Sequence, residues 1–401
     1  MRTPVLILNS RPWSWFQSDG QELLPLDLID PWIITHAYGG VSGLPSELLP
    51  KTFVCDIRND AEVMAVANWI IETASIERVV APSEFFIDMA AHLRSMHDLP
   101  GLNRVLSRGF RDKITMKRLV HEAGITVPRF YELSVDFDER CVNWSSLHVL
   151  KPRAGSGGTD VHVVANSDEL RQHMSNLTGN PDDYQLEEFV EGSMLHCDAV
   201  VNRGEIVFSS VCEYLAKPGD FGPGRWAGSA LLPAGVLWDR VVDLNERIIR
   251  ALGLPEGVTH LELFNCPDGR LVFCEIAARP GGGGIDHINE VAFGMNLREA
   301  SIRVESGLAP PCHSPVRLTV DKVAAVGLYP NGAFPIDDSW VHQAQFPVLW
   351  REKSVRSLDG HYAPRHCTDY LDLVVTAVDS ATDIASRANA AVVAKGGKGN
   401  A

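Results

Sequence analysis

The chain has 401 residues, 45% hydrophobic and 22% charged, which suits a globular protein of two or three packed units rather than one core. Its net charge of −15 argues against nucleic acid as a partner, because phosphate backbones are held by basic surfaces. No apolar run approaches the roughly 18 residues a membrane helix needs, and the eight cysteines include no CxxC pair, so they read as reduced, mostly buried thiols of a cytoplasmic protein rather than zinc ligands.

The opening segment MRTPVLILNS has too short an apolar run for a secretory signal and reads as a first buried strand. WIITH, TFVCDI and ERVVAPS follow as strands, with a helix from Glu62 to Thr73. This alternation predicts a parallel sheet with helices on its faces. No GxGxxG follows the first strand, so no dinucleotide site is expected there. Asp112 suits the N-cap of a helix running to Ala123 and closed by Gly124. Next come a strand (HVLKP), a glycine-rich turn (RAGSGGTD), a second strand (VHVV), a helix from Ser167 to Leu177 and the strand-like YQLEEFVEG. LHCDAVVNRGEIVFSSVCEYL alternates like two antiparallel strands joined at NRG. HLELFNCPDGRLVFCEIAARP repeats the form, turning at Pro267-Asp268-Gly269. Beyond Pro310 the pattern gives a strand (DYLDLVVTAV), a last helix and a frayed tail.

The polar residues on these elements carry the chemistry. Lys113 opens a helix, where free N–H groups already favour anions, and Lys151 ends a strand just before the glycine turn. Gly155, Ser156, Gly157 and Gly158 allow backbone amides to approach phosphate oxygens; the plainer readings are a surface lysine and an ordinary turn. Glu262 and Glu275 sit mid-strand on either side of the turn and can face one another across the pair. Two close, partly buried carboxylates repel unless a cation lies between them, and oxygen ligands suit Mg²⁺. The alternative is that one of the two points to water. Arg279 lies four residues past Glu275, placed either to hold a transferring phosphate or oxyanion, or to make a structural salt bridge. The stretch 217–229 holds Arg225 and reads equally as an acceptor pocket or a surface loop. His287 reads as a pocket residue or as a capping or core histidine.

Taken in order, RDK, GITVP, LKPRAGSGGTDV, LEEFVEG, CDAVV, HLELF and CEIAARPGGG resemble the ATP-grasp superfamily, and within it the carboxylate–amine ligases that include amino-acid ligases. The resemblance runs from about Val79 to Ala309. It implies an N-terminal α/β parallel-sheet domain (residues 1–108, pre-ATP-grasp) before a two-lobed ATP-grasp fold with antiparallel sheets. The small lobe would span 109–188 and the large lobe 189–310, with 311–401 packing on the large lobe. Carried over, Lys113 and Lys151 would contact phosphates, and Ser156, Gly157 and Gly158 would cover the triphosphate. Glu187, Glu188, Phe189 and Val190 would read the adenine edge from between the lobes. Glu262 and Glu275 would hold Mg²⁺ or Mn²⁺, and Arg279 would meet the acyl phosphate. Two departures stand out. Ala277 replaces an Asn that commonly completes the metal ligands, and Met194 stands where a ribose-binding residue is usual, leaving Glu191 and His196 as replacements.

The expected reaction is ATP-dependent, ADP-forming amide or peptide bond formation from a small-molecule carboxylate and an amine, at least one of them an amino acid. Gly282 and Gly283 would offer backbone N–H groups near the tetrahedral centre. A homodimer is expected through the N-terminal domain. The alternatives are a carboxylase of purine or biotin type and a non-catalytic ATP-binding protein.

Overall fold

The computed structural model describes residues 2–37, 39–155, 157–177, 179–216, 224–311, 322–329, 339–353, 370–377 and 379–394. The first unit contains β1 (Thr3–Leu8), a small hairpin of β2 (Gln17–Ser18) and β3 (Gln21–Glu22), β4 (Ile29–Thr35), β5 (Thr52–Val54), α1 (Asp60–Ala74), β6 (Arg78–Val80), α2 (Ile87–Met96) and α3 (Arg104–Arg111). Strands β5, β4, β1 and β6 form a parallel sheet in that order. In β1, Leu6 and Leu8 pack towards α1 and α2, while Val5 and Ile7 pack with Trp13, Phe16 and Ile302. A strand buried on both faces therefore reads as an unbroken apolar run. The helix expected from Glu62 begins two residues earlier, because Asn59 accepts a bond from the Glu62 N–H and caps it.

α4 (Lys113–Glu122) leads into a second, antiparallel sheet built from β7 (Phe130–Glu132), β8 (His148–Pro152), β9 (His162–Val164) and β10 (Tyr184–Glu188), with α5 (Ser167–Ser175) packed on it. The third sheet has eight antiparallel strands. They come from β11 (Ser193–Asn202), β12 (Glu205–Tyr214), β13 (Trp226–Leu231), β14 (Gly257–Asn265), β15 (Leu271–Ala277), β16 (Val323–Leu328), β17 (Val348–Lys353) and β18 (Asp372–Ala377). α6 (Val236–Leu252), an amphipathic helix that the sequence reading did not single out, covers one face together with α4; Leu195, Cys197 and Ala199 of β11 point into that core. The alternate residues of β11 face the other way, towards α7 (Ile285–Phe293) and α8 (Leu297–Glu305). Past α8, the strands β16, β18 and β17 extend this sheet through β13, with α9 (Ser339–Ala344) and α10 (Ala381–Ala394) completing a satellite core around Trp226 and Trp340.

The first unit is tied to the large sheet by a buried ion pair. Arg94 of α2 meets Glu305 of α8 at 3.0 Å and donates to the Leu102 carbonyl, while Glu305 also accepts from the Ala81 N–H at the end of β6. Burial disfavours the Arg94 charge and lowers its pKa, so the site depends on that carboxylate. Arg94→Met should destabilise the chain by about 3 kcal/mol, because it strands a buried carboxylate. Urea denaturation followed by circular dichroism measures this; a loss below about 1 kcal/mol would show that the pair is not what joins the two parts.

Candidate active site

The hairpin of β14 and β15 is the floor of the site. Its register sets Glu262 directly opposite Glu275 on one face, as the alternation in HLELF and FCEIA predicts, so neither carboxylate is turned away from the other. A register shift after Glu262 still leaves both residues, and the next pair His260 and Ala277, in cross-strand positions. The Tyr214 hydroxyl donates to Glu262 Oε1 at 2.6 Å.

Lysines approach Glu275 from the other sheet and from α4. Asp112 caps α4 by accepting from the Thr115 N–H at 2.7 Å, which fixes Lys113 in the first turn. Lys113 Nζ stands 3.3 Å from Glu275 and donates to the Gly155 carbonyl at 3.0 Å, linking that carboxylate to the glycine-rich loop. Lys151, on β8, places Nζ 2.6 Å from Glu187 and 4.0 Å from Glu275. Burial favours the neutral acid at Glu275, but Lys113, Lys151 and Lys117 overcome it and hold the pKa near 2. At Glu262, burial and the charge of Glu275 oppose ionisation, yet His260 and Tyr214 keep it below the ordinary carboxylate value.

Glu187 lies near the end of β10, just before the segment that crosses between the sheets. Its buried side chain turns into the core of the cleft, 2.9 Å from Lys117 and 2.6 Å from Lys151, and accepts from Gln185 Nε2 at 3.1 Å. Burial alone would raise its pKa; the two ammonium groups lower it instead. Lys117 lies one helical turn beyond Lys113 on the same face of α4, and no motif in the sequence reading marked it. The following segment, Glu188 to Val190, crosses from the small sheet to the large one. The Glu188 N–H is bonded to the Arg129 carbonyl at 2.8 Å and the Phe189 N–H to the Leu147 carbonyl at 2.9 Å, so those two donors are engaged within the protein. Glu191 is exposed just beyond. His196 is fully buried on β11, cross-strand to Glu262, with Nδ1 2.7 Å from Asp198; it lies in the floor of the sheet and not at the crossing segment.

Gly157 and Gly158 both have positive φ, +68° and +69°, as a loop folded back on itself requires, while Ser156 lies outside the described residues. Gly281 and Gly284, the ends of the run 281–284, are glycine for a steric reason. A Cβ at Gly281 would sit 2.9 Å from His260 Nδ1, and one at Gly284 would sit 2.9 Å from the Ala325 side chain. Gly282 and Gly283 lie between them, in the turn that opens α7, and are half-buried. Arg279 Nε is 2.7 Å from Glu84 Oε2, and Arg111 pairs with the other Glu84 oxygen. Glu84 comes from the short helical turn before α2, so the first unit supplies a group to this site that no motif identified. Burial disfavours its charge, and Arg279 and Arg111 together bring the pKa below the ordinary value.

Arg225 is half-buried at the start of β13, its carbonyl accepting from the Tyr329 N–H; residues 217–223 of the loop before it lie outside the described residues. His287, in the first turn of α7, stacks on Trp350 with ring centres 3.6 Å apart, which is the packing alternative of its two readings. Cys266 and Cys274 are buried free thiols, and burial raises the Cys274 pKa to about 12, far from a thiolate nucleophile.

A cleft between two antiparallel sheets, with lysines and a glycine loop on one wall and paired carboxylates on the other, defines an ATP-grasp domain, and residues 110–283 match that domain family. The chain is similar in sequence along most of its length to an amino acid ligase. It is 26% identical over 315 residues to the L-arginine-specific L-amino acid ligase of Bacillus subtilis, a match covering 75% of this chain and 74% of that protein. Among solved structures, it resembles an L-amino acid ligase from Bacillus licheniformis with a TM-score of 0.75 and 17% identity over 98% of both chains. It also resembles the ATP complex of carboxyaminoimidazole ribonucleotide synthase from Aspergillus clavatus, with a TM-score of 0.73 and 13% identity over 98% of this chain and 99% of that one. At those identities the two structural likenesses establish the fold alone.

Glu187→Gln removes the shared counter-charge of two buried lysines and should destabilise the protein by about 3 kcal/mol at neutral pH. The sign with pH follows from its lowered pKa. The contribution is present above the ordinary glutamate value near 4.5 and is lost as pH falls below it. Thermal melting of wild type and variant should therefore differ most at pH 7 and converge in acid; a constant difference across that range would remove Glu187 from the ion cluster.

Proposed function

We propose that this chain is an ATP-dependent, ADP-forming carboxylate–amine ligase that joins two small molecules, at least one an amino acid, by an amide bond. The observation that carries the reading is the opposed pair Glu262 and Glu275, set across a cleft from Lys113 and Lys151 within a domain matched to the ATP-grasp family. The similarity to the L-arginine-specific ligase supports an amino acid as substrate.

The donor set fits the expected ligands. Two facing carboxylates suit a hard divalent cation, and Mg²⁺ there would neutralise charge on the phosphate oxygens when bound. Lys113 and Lys151 hold the triphosphate beneath Gly157 and Gly158, with the side of the adenine lying along Glu188 to Val190. A substrate carboxylate attacks the γ-phosphorus in line, and the lysines stabilise the charge on the transferring group. Arg279 exchanges Glu84 for the acyl phosphate so formed. The amine then attacks the acyl carbon, the backbone of Gly282 and Gly283 stabilises the oxyanion, and its collapse breaks the C–O bond to release inorganic phosphate as the nitrogen loses its proton to the phosphate or solvent. Closure of the small sheet over the cleft excludes water from the acyl phosphate.

A second reading has one observation in its favour. The carboxyaminoimidazole ribonucleotide synthase matches this fold nearly as closely as the amino acid ligase does. ADP release from purified protein with ATP and Mg²⁺ separates the two when pairs of amino acids are offered with and without bicarbonate. The expected result is release that needs a particular amino acid pair, ignores bicarbonate and falls at least about a hundredfold in Glu275→Gln, equivalent to about 2.7 kcal/mol of barrier. Release that needs bicarbonate and no amino acid would overturn the ligase in favour of the carboxylase.

A further inference from the structure

Resting on the assignment of Glu262 and Glu275 to the cation, we propose that His260 is a third protein ligand of that ion, binding through Nε2. Four observations converge on it. His260 precedes Glu262 by two residues on β14, so the two side chains project from the same face of the sheet. Its cross-strand partner on β15 is Ala277, whose methyl group offers no donor and leaves the imidazole the polar group at that level of the hairpin.

The ring is also oriented. Asp198 is buried, and its carboxylate is kept ionised by the two histidines it faces, so it accepts from both: His196 Nδ1 at 2.7 Å and His260 Nδ1 at 2.9 Å. His260 therefore carries a proton on Nδ1, and its Nε2 faces the Tyr214 hydroxyl and Glu262 Oε1, the side on which the ion would replace the hydroxyl contact. A carboxylate behind an imidazole is the arrangement that holds metal-binding histidines in one tautomer and one orientation.

The last observation is a distance. Nε2 lies 3.6 Å from Glu262 Oε1, too far for a hydrogen bond between them. Two ligands each about 2.1 Å from one cation are at most about 4.2 Å apart, so the separation fits a shared ion. The Tyr214 hydroxyl, 3.2 Å from Nε2 and 2.6 Å from Glu262, closes the remaining side. The histidines and Asp198 do not make a separate metal site of their own, since both Nδ1 atoms are already engaged with that carboxylate.

A nitrogen ligand changes which metal the site prefers. Imidazole favours Mn²⁺ and Co²⁺ relative to Mg²⁺, which binds oxygen almost exclusively. The competing arrangement is an imidazole that stays protonated on both nitrogens, with Nε2 donating to the Tyr214 hydroxyl, and acts only as a counter-charge to Glu262.

The test is Mn²⁺ binding to the full chain with a non-hydrolysable ATP analogue, followed by electron paramagnetic resonance on protein labelled with 15N-histidine. The label separates imidazole nitrogen from adenine nitrogen. Expected are a 15N coupling in the wild type, its loss in His260→Ala and at least a tenfold weaker Mn²⁺ affinity, with a smaller loss for Mg²⁺. His260→Ala combined with Ala277→Asn, which returns an amide oxygen from the opposite strand, should restore Mg²⁺ binding in preference to Mn²⁺. If Glu262→Gln and Glu275→Gln abolish Mn²⁺ binding but the wild type shows no 15N coupling, the histidine ligand is wrong and the carboxylate site stands. If those two variants bind Mn²⁺ normally, both readings fall. The wild-type spectrum decides the point even if a variant does not fold.

Discussion

Charge balance inside the cleft is the constraint on which the rest of the site depends. Lys113, Lys117 and Lys151 are all buried, and each needs an anion close by, since an unpaired buried charge costs several kcal/mol. Glu187 serves Lys117 and Lys151 together, and Glu275 serves Lys113. Against Glu187 and Glu275 together, the three lysines leave one positive charge over before any ligand enters. Under the proposed function, a triphosphate entering with a cation would meet lysines that are already desolvated and held in place, so little reorganisation would remain when negative charge moves during phosphoryl transfer. The opposed carboxylates create the complementary demand, because Glu262 and Glu275 repel one another unless a cation joins them.

This balance is delivered by two sheets and a helix that are remote in sequence. Glu187 ends a strand of the small sheet, Glu275 lies on the large sheet, and α4 runs between them with Lys113 and Lys117 one turn apart. Small shifts between the sheets change every distance in the cluster at once. The cap at Asp112 is tied to the same end of the cleft, since Arg153, just past Lys151, bonds to the second oxygen of the capping carboxylate at 2.9 Å. The helix start, the glycine loop and the strand carrying Lys151 are thereby fixed relative to one another.

Much of this was legible in the sequence, for reasons that are local. The period of two around the Pro267-Asp268-Gly269 turn places both carboxylates on one face without knowledge of the fold. Asp112 announces a helix start, and positive φ at Gly157 and Gly158 is what a glycine-rich turn implies. What escaped is non-local. Glu84 reaches Arg279 across 195 residues, and nothing near Glu84 marks it. The pairing of the Glu187 side chain with two lysines from different elements is also a tertiary contact that the motif around it does not encode. The joining of β16 and β18 to the edge offered by β13 is likewise a tertiary pairing, which single strands do not encode.

The double coordination of Glu84 bears on how Arg279 can work. An arginine locked to a buried carboxylate is a poor catalytic group if releasing it leaves that carboxylate uncompensated. Here the second arginine removes the difficulty. Arg111, on the same unit as Glu84, would keep its ion pair if Arg279 turned away, so the proposed exchange of Glu84 for an anionic intermediate would leave Glu84 with a counter-charge. Glu84 sits on the first unit and Arg279 on the large sheet, so the same contact that holds Arg279 at rest also registers how those two parts of the chain are docked.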